Sequence, residues 1–97
     1  MTKADTVQKI VEKTGIQKEH VEKTLESFFL TIKDSMENGE NIYFRGFGSF
    51  INKKRAAKTA RNISKNTTII VPAQIIPHFK PSDDFIKLVK EGYLQLT

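Results

Sequence analysis

Cysteine is absent from this chain of 97 residues, which excludes disulfide staples and thiolate metal or redox chemistry. No apolar run approaches the ~20 residues that a membrane-spanning helix needs. The opening stretch MTKADTVQKI has no apolar core of the kind a secretory signal carries. These absences predict a soluble, cytoplasmic protein with no membrane partner. Catalytic groupings are also missing. His20 and His78 stand apart, with no metal-ligand spacing around either. The stretch GFGSF at 46–50 lacks the spacing and the trailing lysine of a phosphate-binding loop. No enzyme, metal, cofactor or small-molecule substrate is expected.

Acid is the most telling absence. Residues 41–82 contain eight lysines or arginines and not one Asp or Glu, a net of +8. Residues 1–40 hold six lysines against eight acids, a net of −2, and residues 83–97 two lysines against three acids, a net of −1. The overall +5 therefore hides a molecule with its excess cation gathered in the middle, the pattern of a polyanion-binding surface.

What is present reads as an α+β chain. Thr2 with Asp5 three residues on fits a capped helix start. Ala4, Val7, Ile10 and Val11 then share a helical face, and Gly15 is a natural stop. A longer helix is predicted over about 18–38, with the stripe Val21, Leu25, Phe28, Phe29, Ile32 and Met36. After Gly39 the period shifts to two. Ile42 and Phe44 alternate with Tyr43 and Arg45, and Gly46-Phe47-Gly48 makes a tight connection that should push a ring into a core. Residues 53–61 carry no helical stripe and should continue the extended strand. Residues 62–66 form a turn, and the β-branched run 67–71 returns. Pro72 and Pro77 confine 72–81 to edge or irregular strand. Ser82, Asp83 and Asp84 start a last helix, which Gly92 should end, leaving residues 92–97 as a tail. One domain is expected, with a helical body at about 1–40 and 82–91 and a sheet with its β-arm at about 41–81.

The arm itself spans about 53–73. It has too little apolar material near its tip to fold back on a core, so nine residues each way should project roughly 30 Å. Lys53, Arg55 and Arg61 should point one way along the outgoing strand, and Lys54 and Lys58 the other. Small alanines between them keep the ribbon thin. Such a ribbon repels itself until a polyphosphate relieves the repulsion and releases counterions. A solvated loop that only aids solubility would normally mix charge signs. A helix-turn-helix around Gly15 would place Glu19 and Glu22 where phosphates must approach. RNA remains an alternative target for the same hairpin, and a protein-assembly arm would bind without regard to salt. With some twenty residues in the arm, about seventy-five remain to bury a core, marginal for a lone domain without disulfides or metal. Phe28, Phe29, Phe44, Phe47, Phe50, Phe79 and Phe85 are the candidates to fill a core shared across a dimer.

GFGSF at 46–50, RAAKTARN at 55–62 and PHFKP at 77–81 occur in this order and spacing, and with them the chain resembles the HU and integration host factor family of bacterial DNA-bending proteins, across residues 1–90. The resemblance implies an intertwined homodimer, or a heterodimer with a paralogue, whose two arms reach around the minor groove of double-stranded DNA in the bacterial nucleoid and bend it with apolar wedges. It places Lys53, Lys54, Arg55, Lys58, Arg61, Asn62 and Lys65 on the DNA, with Arg45 and Lys80 towards its flanks. The family's arm tip typically reads Arg-Asn-Pro. This chain has Ile63 in the proline's place, which makes Ile63 the expected wedge. The family commonly follows FKP with glycine and then lysine, whereas here stand Ser82, Asp83 and Asp84, so a smaller flanking footprint is expected. Residues 91–97 extend past the usual end. Little sequence selectivity is expected; a more selective integration-host-factor mode is the alternative.

Overall fold

The structure, a computed structural model, describes residues 1–96. It comprises α1 (Lys3–Thr14), α2 (Lys18–Glu37), β1 (Ile42–Phe44), β2 (Gly48–Arg55), β3 (Lys58–Asn62), β4 (Thr67–Val71), β5 (Gln74–Pro81) and α3 (Asp83–Leu96). The chain divides into two compact units, and the boundary after Ser35 falls inside α2. Buried apolar side chains are confined to Val7 and Val21 among the described residues, both in the first unit.

In the first unit, α1 opens with a capping box. The Thr2 hydroxyl accepts from the Asp5 backbone N–H, and the Asp5 carboxylate accepts from that of Thr2. The helix closes on Gly15 at φ 73°, whose N–H donates to Val11 O at 2.9 Å. That left-handed geometry is what glycine tolerates and other residues resist. Lys3 Nζ reaches Glu26 Oε1 at 3.0 Å, an exposed ion pair between α1 and α2 worth at most about 1 kcal/mol. The α2 stripe is only half covered, with Phe28 and Phe29 40% and 43% exposed.

In the second unit, β1, β2 and β5 form an antiparallel sheet in the order β1-β2-β5. Phe44 pairs with Gly48, Phe50 with Ile42 and Phe79, and Arg55 with Gln74. Gly48 is buried because β5 crosses it closely. A Cβ there would lie 2.6 Å from Lys80 O and 2.7 Å from the Phe79 ring. Across this contact the aromatic rings assemble. Phe50 lies 4.9 Å from Phe79, Phe47 5.1 Å from Phe79, and Phe85 stacks on Phe47 at 5.3 Å. Phe47 nevertheless stays 45% exposed, so the expected insertion of its ring into a core is only half achieved within one chain. Phe85 contributes a full face to the cluster.

Pro77 sits in a regular strand, opposite Asn52. That register is tolerated because β5 is an edge strand and the missing N–H need face no partner. The last helix runs through Gly92 to Leu96, which corrects the predicted stop and the tail over 92–96; residue 97 lies outside the described residues. Gly92 takes no left-handed φ, and Leu88, Val89 and Tyr93 continue an exposed apolar surface along the helix. A glycine ends a helix when the chain turns left-handed there, not by being glycine.

Candidate nucleic-acid interface

The acid-free segment folds as one antiparallel ribbon in two leaves. The proximal leaf is the outer part of β2 with β5, where Lys53 pairs with Ile76, Lys54 with Ile75 and Arg55 with Gln74. The distal leaf is β3 with β4, pairing Lys58 with Val71 through to Asn62 with Thr67. Between them residues 56–57 and 72–73 belong to no strand. The continuous outgoing strand predicted over 53–61 is therefore broken. The reason is Pro72, which has no N–H to give the ladder and stands at the level of the two alanines. Alternation of side chains can be followed within each leaf but not across the gap, so Arg61 is not tied to the face of Lys53 and Arg55.

From residue 54 to residue 70 every residue but Asn62 is exposed. Lys54, Arg55, Lys58, Arg61 and Lys65 are among them, while Lys53 is half-buried beside Ile76. No carboxylate lies in the segment, so the cations repel one another along a ribbon with five paired positions in its outer leaf, about 17 Å of strand. Arg45, in the turn after β1, and Lys80, opposite Ser49 near the other end of β5, are both exposed. Beyond Lys80 the charge changes sign. Ser82 N donates to Phe47 O at 2.9 Å and its hydroxyl accepts from Phe85 N at 3.2 Å. This fixes the start of α3, with exposed Asp83 and Asp84 in its first turn. The acids suit the positive end of the helix and oppose phosphates at that flank.

The tip is a turn of residues 63–66. Asn62 Oδ1 accepts from Ser64 Oγ at 2.8 Å and from Lys65 N at 3.4 Å. The Arg61 guanidinium donates to Asn66 Oδ1, and Asn66 takes φ 51°. Ile63 is 90% exposed. Asn62, expected on DNA, thus commits its side-chain oxygen to the turn. Asn66 is absent from the residues that the sequence singles out; an asparagine closing a hairpin turn, a position that often needs positive φ, is the signal that could have found it. Phe44, Phe47, Phe50 and Phe79 cluster on the sheet, whereas Phe28 and Phe29 neighbour each other on α2, 6.0 Å apart.

Among the described residues no group of three or more His, Cys, Asp or Glu is gathered to hold a metal ion, and no helix is long and apolar enough to cross a membrane.

Comparison with known proteins agrees with this geometry. The family described as bacterial DNA-binding protein matches residues 1–90. The integration host factor subunit alpha of Anaeromyxobacter sp. (strain Fw109-5) is 37% identical over 82 residues, spanning 84% of this chain and 83% of that one. The SPbeta prophage-derived DNA-binding protein HU 2 of Bacillus subtilis is 34% identical over 90 residues, 93% and 98% of the two chains. Among solved structures, HU in the Anabaena HU–DNA cocrystal superposes with a TM-score of 0.85 at 29% identity, covering 92% of this chain and 97% of that one. The cationic two-stranded ribbon, the glycine-bounded aromatic turn behind it and the match along nearly the whole chain make this protein a member of the HU and integration host factor family of bacterial DNA-binding proteins.

Proposed function

We propose that this protein binds double-stranded DNA as a dimer, laying its two cationic ribbons along the minor groove and bending the duplex with little sequence selectivity, as a nucleoid-organising protein. The observation that carries this reading is the ribbon itself, exposed along both strands and free of acid. Lys53, Lys54, Arg55, Lys58, Arg61 and Lys65 meet sugar–phosphate rails, and each phosphate neutralised releases counterions. Arg45 and Lys80 extend contact towards the flanks, where Asp83 and Asp84 cut it short. Ile63 at the tip is an aliphatic wedge for a base step, as such proteins use. A DNA-bound HU shares this fold, which supports the partner.

The dimer follows from surface area. A folded monomer of 11.1 kDa should expose about 5,700 Å², yet this chain exposes 8516 Å². The arm accounts for part of the excess. The half-covered rings of Phe28, Phe29 and Phe47 add a smaller share, and a second copy would cover them. Relatives named as subunits fit such pairing.

Gel-shift titration of unrelated duplexes, bent or nicked duplexes and RNA at several salt concentrations tests the proposal. Replacing Lys54 and Lys58 with Ala should flatten the log–log salt slope by about 0.9 for each phosphate no longer neutralised, up to about 3.6 for two cations in each of two arms. Equal slopes for wild type and variant would refute arm contacts. Shortening the duplex in the same series measures the flanking footprint. The similarity to integration host factor subunits favours a second reading, in which one duplex sequence is strongly preferred; similar affinities for unrelated duplexes exclude it.

A further inference from the structure

The arm tip is held from within. Strand pairing closes at Asn62 opposite Thr67, and the four residues beyond it have no ladder to shape them. Asn62 Oδ1 does so instead, taking the Ser64 hydroxyl at 2.8 Å and the Lys65 N–H at 3.4 Å. On the other side of the turn the Asn66 amide oxygen takes a donor from Arg61. Asn66 occupies the left-handed region at φ 51°, where asparagine is better tolerated than most residues. Between these two contacts Ile63 stands 90% exposed. Isoleucine has no ring to fix its φ, so nothing in the residue itself would keep it pointing outward. Insertion by a disordered loop would lose affinity to ordering, a cost that a preformed turn avoids.

We infer that Asn62 and Asn66 are positioning residues for DNA bending: Asn62 Oδ1 shapes the turn that presents Ile63, and Asn66 clamps that turn to Arg61. This rests on the wedge role proposed for Ile63. It reassigns Asn62 from reading DNA to holding the tip. Arg61 gives Asn66 one of its five N–H donors and keeps the others for phosphate.

The test is the bend of an end-labelled duplex at saturating protein, read by energy transfer, with affinity and salt slope measured alongside. Ile63→Ala should lose most of the bend. Asn62→Ala, which removes the acceptor, should fall to the same level with an unchanged salt slope, because the arm cations still engage. Asn62→Asp keeps an acceptor oxygen, so it should restore the saturated bend while its added charge weakens affinity several-fold. Asn66→Gly keeps the backbone geometry but not the clamp, and should bend less than wild type. If Ile63→Ala loses the bend while Asn62→Ala and Asn66→Gly keep it, the positioning role is overturned and the wedge stands. If Asn62→Asp is as deficient as Asn62→Ala, the side chain acts on DNA and the inference fails. A full bend from Ile63→Ala would overturn both.

Discussion

Gly48 shows how much one missing Cβ can decide. Its neighbour across the sheet is the backbone carbonyl of Lys80, 2.6 Å from where a methyl would sit, and a backbone oxygen in a paired strand has no easy way to retreat. Gly48→Ala should therefore destabilise the protein by about 2–3 kcal/mol, read as a lower midpoint in urea; a midpoint within error of wild type would mean that the strands can part there. The sequence reveals a special position at 46–48, because two glycines around a phenylalanine do not occur in an ordinary strand. It does not reveal which glycine is constrained by crowding, since the crowding atoms lie some thirty residues further on. Asn66 is hidden for a different reason. Its role depends on Arg61, five residues away, reaching back across a turn, and no local pattern encodes that contact.

The same distinction between local and distant causes runs through the elements. Boundaries set by neighbouring residues are legible: the Thr2–Asp5 box, the stop at Gly15, the hydroxyl of Ser82 at the start of α3. Boundaries set across strands are not. Pro72 is recognisably unfit for a ladder, but its effect on the partner strand, where residues 56–57 lose their pairing, requires the register. Gly92 resembles a terminator and is an interior helix residue with open space around its missing side chain. Gly92→Ala should accordingly stabilise α3 by about 0.5–1 kcal/mol. Had the chain turned left-handed there, the same change would destabilise, so thermal unfolding of this single variant discriminates the two geometries.

At the scale of the molecule, charge is fully legible and the core is not. All surplus cation lies in residues 41–82, and those residues supply the ribbon. A stripe tells which face wants cover and not what covers it. If a second copy does so, sedimentation should give a mass about twice 11.1 kDa, and the melting temperature should climb as protein concentration rises. A melting temperature independent of concentration, with a monomer mass, would remove the pairing. The interrupted ribbon has a further consequence. Both rails lack pairing at the same level, residues 56–57 on one and 72–73 on the other, so the outer leaf is joined to the inner one by four residues without a ladder to stiffen them. In the binding mode proposed above, such a knuckle would let each finger follow the local path of the groove it meets, so that helices of differing curvature could be gripped without rebuilding the palm.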